Sequence, residues 1–242
     1  MRVIAGEKGG RRLLAPSGRE TRPTADRVRE AAFSMVESQV SLDGATVWDL
    51  FAGSGALGIE ALSRGAGHAT FVDQARTAIS VTKVNLARLG YGPERARVVS
   101  ADVLRWVHGV DAAPAHDDEE GSSGPARPLG RVDLVLADPP YAWQAWPALL
   151  GGLVVLAPLL VIETSEELEL PAPWHVLKAK RYGGTLVTLA RLRAGDTVGD
   201  DSVGDDSVGD GSVGDGSVGD GSVGDDSVGD DSVGDGSVGD EP

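Results

Sequence analysis

The 242-residue sequence contains no cysteine, which excludes disulfide bonds and cysteine-ligated zinc or iron–sulfur sites. Its four histidines are scattered without metal-ligand spacing, so no metal is expected. The most apolar stretch, LVVLAPLLVI at 153–162, is much shorter than the roughly 20 residues that span a bilayer. The N-terminus also lacks an apolar signal core. These absences predict a soluble, cytoplasmic protein without a membrane partner.

Lysine and arginine are missing from residues 196–242, which repeat the unit Val-Gly-Asp-(Asp/Gly)-Ser. This tail contains fourteen aspartates and Glu241, which account for the whole net charge of −15 and leave the rest of the chain formally neutral. One small apolar residue per unit buries too little surface to offset the entropy of ordering, so a disordered tail is predicted. Calcium-binding glycine-aspartate repeats are the alternative, but they recur every nine residues.

The body of the chain alternates apolar runs with helical periodicity. Helices are predicted over 58–65 and 75–90, each closed by a glycine. Strands are predicted over 46–51, 69–73, 97–102, 132–138 and 159–165, followed by a closing pair over 176–182 and 185–192. This alternation indicates an α/β fold with a mostly parallel seven-stranded sheet, helices on both faces, and a ligand site at the carboxyl ends of the strands.

Two segments stand apart from this alternation. Residues 109–130 are polar and rich in helix breakers, which predicts a flexible insertion within a domain over 41–195. Residues 1–40 are predicted to form an N-terminal arm, with a glycine-turned hairpin in RVIAGEKGGRRLLAP and a helix in TADRVREAAFSMVES. The arm is basic, because residues 1–30 contain eight Lys or Arg against four Asp or Glu.

A glycine-rich loop, DLFAGSGALG at 49–58, runs from the first strand into the first helix. Glycines let the backbone turn sharply and approach a ligand closely, and a helix start offers amide donors. The loop also matches Gly-x-Gly-x-x-Gly, with Asp73 at the distance where such enzymes bind a ribose, so a nicotinamide dehydrogenase is one interpretation. Simple packing of a strand against a helix is another.

Acidic residues at successive strand ends favour a different cofactor. Asp49, Asp73 and Asp102 lie at or just beyond the ends of three predicted strands, and Asp138 lies at a fourth. S-adenosylmethionine needs one acceptor for its ammonium group, another for its ribose hydroxyls and a third for its adenine amine. The series matches that need better than it matches a pyrophosphate, although each acid alone could be a helix cap or a solvated turn.

The fourth of these strand ends carries the sequence Asp-Pro-Pro-Tyr at 138–141. Proline ends the strand ladder and fixes the backbone, so Asp138 and Tyr141 are predicted at a rigid corner. Alone, this corner could be only a turn. Trp143 and Trp146 follow it, and core packing is favoured for both over stacking on a ligand.

Six segments of the chain carry a resemblance to a known family: RPTADRVREAAFSMV, DLFAGSGALGIEALSRGA, FVD, VNLARLG, AD and ADPPY. Together they resemble the bacterial 16S ribosomal RNA guanine-N2 methyltransferase family, the RsmD type, over nearly all of residues 1–193. The resemblance implies a Rossmann-like class I S-adenosylmethionine-dependent methyltransferase acting on 16S rRNA in an assembled or assembling small ribosomal subunit. A monomer is expected. The acidic tail and the 109–130 insertion depart from the family pattern.

The resemblance also implies roles for individual residues. The cofactor would be bound by Asp49, Ala52, Gly53, Gly55, Asp73, Gln74, Asp102 and Val103. Catalysis would fall to Asp138, Pro139, Pro140 and Tyr141. Independently of the resemblance, the basic arm predicts RNA contact by Lys8, Arg11, Arg12, Arg22, Thr24, Arg27 and Arg29. An ordinary solvated surface is the alternative for each basic residue, and cofactor contact is the alternative for Arg22 and Thr24.

Other functions share parts of this pattern. Adenine-N6 methyltransferases and glutamine-N5 methyltransferases use a related Pro-Pro-aromatic corner, although the glutamine enzymes favour asparagine at the position of Asp138. From other classes, a nicotinamide dehydrogenase and a non-catalytic RNA-binding module remain open.

Overall fold

The computed structural model describes residues 1–16, 23–109 and 132–193, with side chains in the first helix described from Asp26 onward. The predicted tail and, apart from Gly109, the predicted insertion lie outside the described residues, as does Arg22. The helices are α1 (Pro23–Glu37), α2 (Ala56–Ser63), α3 (Arg76–Leu89), α4 (Val103–Val107) and α5 (Trp146–Leu153). The strands are β1 (Thr46–Leu50), β2 (His68–Asp73), β3 (Ala96–Ser100), β4 (Leu134–Ala137), β5 (Leu159–Thr164), β6 (Trp174–Tyr182) and β7 (Thr185–Leu192).

The seven strands form a single sheet in the order β3-β2-β1-β4-β5-β7-β6. The first five are parallel, and β7 pairs antiparallel with both β5 and β6. The four central strands are almost fully buried because their runs of Val, Leu, Ile and Phe are covered on both faces. The predicted mostly parallel seven-stranded sheet is therefore confirmed.

Helices cover the two faces of the sheet unequally. One core cluster joins α1, α2 and α3 to one face, and a second joins α4 and α5 to the other. We call the sheet face that α1, α2 and α3 cover the α1 face. The sequence patterns did not predict α4, which has only five residues, or α5, whose Pro147, Gly151 and Gly152 are poor helix formers. No helix in the described ranges is long and apolar enough to cross a membrane.

The N-terminal hairpin is confirmed as a short pairing between residues 1–3 and 11–13. Arg2 and Arg12 form an antiparallel bridge, and the Val3 amide donates to the Arg11 carbonyl at 2.9 Å. Val3 and Leu13 are buried in the same core cluster as α1, α2 and α3. The hairpin therefore packs against the helices of the α1 face.

A buried glutamate in α2 connects the hairpin to α1. The Glu60 carboxylate is fully buried and accepts hydrogen bonds from the backbone amides of Ile4 and Ala5 at 2.7 and 3.0 Å. It also pairs with Arg64 at 2.8 Å and lies 3.7 Å from the Arg29 guanidinium. We call Glu60, Arg29 and Arg64 the Glu60 cluster, and it fixes the N-terminal segment to the sheet domain.

The position of Arg29 corrects one of the RNA-binding predictions. Its side chain is only 4% exposed, and its guanidinium also contacts Asp26 at 3.0 Å and the Arg2 carbonyl. A buried guanidinium in three contacts cannot face an RNA phosphate. The sequence contains the signal for this, because Arg29 precedes the buried Phe33 and Val36 by four and seven positions and so lies on their side of α1.

Candidate active site

The site lies where the direction of strand order reverses. From β1 the chain proceeds through β2 to β3 on one side, and β4 and β5 are added on the other side. Ligands of open α/β sheets bind at such a switch point, beyond the carboxyl ends of the strands. The glycine loop follows β1 here, and the Asp138 corner follows the adjacent strand β4. The two motifs predicted from the sequence are therefore neighbours.

The glycine loop is shaped by close packing. Gly53 and Gly55 adopt left-handed backbone conformations, with φ of 59° and 77°. At Gly58 a Cβ atom would lie 2.4 Å from the Phe71 ring and 3.0 Å from the Asp49 Cβ, so only glycine lets α2 approach the sheet this closely. The packing interpretation of these glycines is thus correct for Gly58, and it is compatible with a ligand at the loop itself.

Asp49 lies beneath the loop and anchors it. Its carboxylate is 1% exposed and accepts the Gly58 amide at 2.8 Å. Burial raises the pKa of Asp49 well above its usual value, the Gly58 hydrogen bond lowers it, and the charges of Asp138 and Asp73 raise it further. Direct contact between Asp49 and the methionine part of the cofactor stays a prediction, as it does for Ala52, Gly53 and Gly55.

The other predicted cofactor residues lie along the same sheet edge. Asp73 ends β2 half-buried and accepts the amides of Gly53 and Ala75 at 2.9 and 2.8 Å. Asp102, also half-buried, caps α4 by accepting the Arg105 amide at 3.0 Å. The structure thus brings Asp49, Asp73 and Asp102 to adjacent strand ends, with Gln74 exposed and Val103 buried beside them.

The Asp138 corner projects from β4 toward the ligand side. Asp138 is half-buried, Pro139 is buried and Pro140 is exposed. Tyr141 is 71% exposed, which is unusual for a large aromatic side chain and suits a ring that stacks on an incoming base. The Trp143 amide donates to the Pro140 carbonyl at 2.8 Å and closes the turn.

An aromatic contact ties this corner to the glycine loop. Phe51, directly after β1, has a left-handed backbone with φ of 62°, which costs on the order of 1–2 kcal/mol for a bulky residue. Its ring packs edge-on against Trp143, with centroids 5.0 Å apart, and Trp143 packs against Trp146 at 4.9 Å. Trp146 is 9% exposed, so core packing is confirmed for it. Strained backbone conformations of this kind concentrate at functional sites.

One acid beside the corner was missed by the sequence predictions. Glu163 lies near the end of β5, the strand next to β4, and its side chain is partly exposed. Burial raises the pKa of the Glu163 carboxyl to about 8, with a further increase from Asp138, a decrease from Arg29 and an increase from Asp49. In the sequence, Glu163 looks like an ordinary strand end. Only the pairing of β4 with β5 brings it to the site.

The predicted RNA-binding residues occupy different environments. Arg11, Arg12 and Arg27 are exposed, whereas Lys8 is half-buried, with its ammonium group 5.6 Å from the Tyr91 ring centroid. The side chain of Thr24 lies outside the described residues, as does all of Arg22. With Arg29 excluded, RNA contact by the remaining residues stays a prediction.

Comparison with known proteins identifies relatives over most of the chain. A family model described as "Conserved hypothetical protein 95" matches residues 1–191. Ribosomal RNA small subunit methyltransferase D of Haemophilus influenzae is 31% identical over 194 residues, which cover 76% of this chain and 89% of the relative. YlbH of Bacillus subtilis, provisionally named an rRNA methyltransferase, is 41% identical over 201 residues, which cover 80% and 100%.

Solved structures agree with these sequence relatives. Escherichia coli YhhF, provisionally titled a methyltransferase, is 30% identical with a TM-score of 0.63, covering 80% of this chain and 98% of that protein. A Haemophilus influenzae protein, provisionally titled a methylase, is 28% identical with a TM-score of 0.58, covering 79% and 97%. These neighbours confirm the Rossmann-like class I methyltransferase fold. The chain therefore belongs to the family described as conserved hypothetical protein 95, which its named relatives identify as the RsmD-type methyltransferases.

Proposed function

We propose that this protein transfers a methyl group from S-adenosylmethionine to the exocyclic N2 of a guanine in small-subunit ribosomal RNA. The observation that carries the proposal is the placement of the Asp138 corner beside the glycine loop at the switch point of the sheet. Family membership supports the methyl donor and the RNA substrate, and it removes the nicotinamide dehydrogenase as an interpretation.

The corner supplies what an aromatic amine needs to act as a nucleophile. The lone pair of such a nitrogen is delocalised into the ring, so attack requires movement toward tetrahedral geometry. The Asp138 carboxylate and the Pro139 carbonyl would accept the two amine hydrogens and favour that geometry. Because these interactions strengthen as positive charge develops on nitrogen, they stabilise the transition state more than the bound substrate.

The sheet edge over β1, β2 and β3 suits the cofactor. Bound S-adenosylmethionine supplies an electrophilic methyl group on a sulfonium ion. Asp73 would accept the ribose hydroxyls, and Asp102 would accept the adenine amine beside Gln74 and Val103. Both carboxylates are half-buried at adjacent strand ends, so they can accept such bonds without leaving the sheet edge.

Basic side chains on the α1 face support an RNA partner. Lys178 and Lys180 of β6 are exposed and pair with Leu189 and Val187, whose side chains belong to the core cluster of the α1 face. The lysines therefore lie on the same face as α1, whose Arg27 is also exposed. We include in the proposal that the monomeric protein acts in the cytoplasm on an assembled or assembling small subunit.

Mass mapping of methylated nucleotides tests the function directly. Ribosomal RNA from cells that lack the gene is expected to lose one N2-methylguanine, and the purified protein with S-adenosylmethionine is expected to restore it. Supplying naked RNA and assembled subunits in parallel identifies the substrate form. Restoration of N6-methyladenine instead would support the adenine alternative and refute the guanine proposal.

Replacing Tyr141 by alanine is expected to weaken use of the RNA substrate. Stacking of a base on an aromatic ring contributes about 1–3 kcal/mol, which corresponds to a loss of roughly 5-fold to 150-fold in kcat/KM. Tyr141→Phe is the matched control and is expected to retain most activity, because it keeps the ring. Steady-state kinetics with saturating S-adenosylmethionine measure both, and equal losses in the two variants would contradict a stacking role.

Replacing Asp73 by asparagine is expected to weaken binding of S-adenosylmethionine. A hydrogen bond to a charged group contributes about 1.5–3 kcal/mol, so calorimetry should find Kd raised roughly 10-fold to 150-fold. Asp43→Asn, at an exposed acid before β1 at the opposite end of the sheet, is the matched control and is expected to leave Kd unchanged. Unchanged affinity in Asp73→Asn would remove Asp73 from the cofactor site.

A further inference from the structure

Glu163 and Asp138 lie side by side at the carboxyl edge of the sheet. The parallel pairing of β4 with β5 aligns Leu136 with Val161 and Ala137 with Ile162, so the next pair in register is Asp138 and Glu163. Side chains alternate along a strand, and Leu136 and Val161 both belong to the core cluster of the α1 face. Glu163 lies within β5 and therefore points to that face, where the charge of Arg29 also reaches it, and Asp138 directly follows the neighbouring strand, about 4.8 Å away.

The Glu163 carboxylate has unused hydrogen-bonding capacity. It makes no hydrogen bond and no ion pair with any residue that the structure describes, although Asp138, Arg29 and Asp49 are close enough to influence its charge. A partly desolvated carboxylate without a hydrogen-bond partner in the protein has a perturbed charge, and such groups are concentrated at functional sites. Because part of Glu163 stays exposed, a ligand can supply the missing donor.

Guanine presents a suitable donor at this position. Its N2 amine and its ring N1–H are adjacent on one edge of the base, so an amine held by Asp138 and Pro139 brings N1–H toward the neighbouring strand. We propose that Glu163 accepts the N1–H of the target guanine and thereby makes the site selective for guanine. This inference rests on the proposed function, because it concerns the base that the Asp138 corner receives.

Adenine would meet the opposite situation. The ring nitrogen beside its amine carries no hydrogen, so it would place an acceptor against the Glu163 carboxylate. A site that is built to accept a hydrogen bond rejects a ligand that lacks the donor, because the buried acceptor is left unpaired. Glu163 is a specificity-determining residue in this account, and the methyl transfer itself remains at the Asp138 corner.

Substrates that carry 2-aminopurine in place of the target guanine test the inference. This base keeps the 2-amine but has no hydrogen on its ring nitrogen. At about pH 8.5, where the ionised form of Glu163 predominates over the protonated acid, wild-type protein is expected to favour guanine over 2-aminopurine by about tenfold or more in kcat/KM. In Glu163→Gln the ratio is expected to fall to within a few fold, since the glutamine amide can either accept from guanine or donate to 2-aminopurine.

The controls separate specificity from folding and from the proposed function. Glu167→Gln, an exposed acid in the segment after β5, is expected to keep the wild-type ratio. Melting temperature and S-adenosylmethionine affinity report whether Glu163→Gln is folded. An unchanged ratio in folded Glu163→Gln, or an absence of discrimination by the wild-type protein, overturns the inference while leaving guanine methylation intact. Failure of the wild-type protein to methylate guanine overturns the proposed function as well.

The pH profile provides a second, independent measurement. The ionised form of Glu163 accepts N1–H more strongly than the protonated form, and its raised pKa of about 8 means that the ionised form becomes populated as pH rises. The kcat/KM for guanine is therefore expected to increase between about pH 7 and 8.5 in the wild type and to stay flat in Glu163→Gln. The charged groups facing Glu163 are Asp138 just after β4, Asp49 on β1 and Arg29 on α1. Parallel profiles in the two proteins would contradict the inference.

Discussion

Replacement of Asp138 by alanine is expected to lower kcat about 10²-fold to 10³-fold while leaving the Kd for S-adenosylmethionine nearly unchanged. The carboxylate would accept an amine hydrogen only where charge develops, so its loss falls on the chemical step. Single-turnover methylation and calorimetry measure the two quantities separately. Turnover equal to that of the wild type would remove Asp138 from catalysis and revive the non-catalytic RNA-binding interpretation.

Two further variants sharpen this result. Asp138→Asn retains one acceptor oxygen and is expected to keep more activity than Asp138→Ala. Asp43→Ala removes an exposed carboxylate before β1, at the opposite end of the sheet, and is expected to be fully active. Because the negative charge of Asp138 raises the pKa of both Asp49 and Glu163, its removal also relieves like-charge repulsion.

Replacement of Glu60 by glutamine is expected to lower the free energy of unfolding by about 3 kcal/mol, near the lower end of the range for breaking a buried ion pair. Arg29 and Arg64 would keep their charges, but the fully buried position between them would no longer be anionic. Asp26 remains beside Arg29 and limits the loss. Urea denaturation followed by circular dichroism measures the change.

Glu37→Gln is the matched control for Glu60→Gln. Glu37 also pairs with Arg64, at 3.0 Å, but 45% of its side chain is exposed. Solvent screens such a pair, so its removal is expected to change stability by less than about 1 kcal/mol. Similar losses in the two variants would show that the Glu60 cluster is not what fixes the N-terminal segment.

The sequence was informative wherever local pattern decides structure. The central strands β1, β2, β4 and β5 are apolar runs with clear boundaries, and α1 and α3 repeat apolar residues at helical spacing. Asp73, Asp102 and Asp138 could be placed at one edge because the carboxyl ends of parallel strands lie together. By contrast, α5 was not predicted because its composition disfavours a helix. Packing of Leu149, Leu150 and Leu153 against the sheet stabilises this helix instead.

Long-range pairing explains what the sequence could not predict. The position of Glu163 beside Asp138 depends on which strand neighbours β4, and no local pattern contains that information. Arg29 was misassigned although its spacing to Phe33 and Val36 places it on the buried side of α1, because a buried arginine needs an acidic partner and no local pattern identifies that partner. Its partner Glu60 lies 31 positions away in the sequence, on another helix.

The N-terminal hairpin also has a consequence for how the protein is made. Ile4 and Ala5 hydrogen-bond with a residue 56 and 55 positions later, and the Leu14 amide donates to Asn85, 71 positions later. During synthesis this segment leaves the ribosome before α2 and α3 and cannot dock until both have been made. Its basic side chains therefore stay available to the surroundings until α3 has been synthesised.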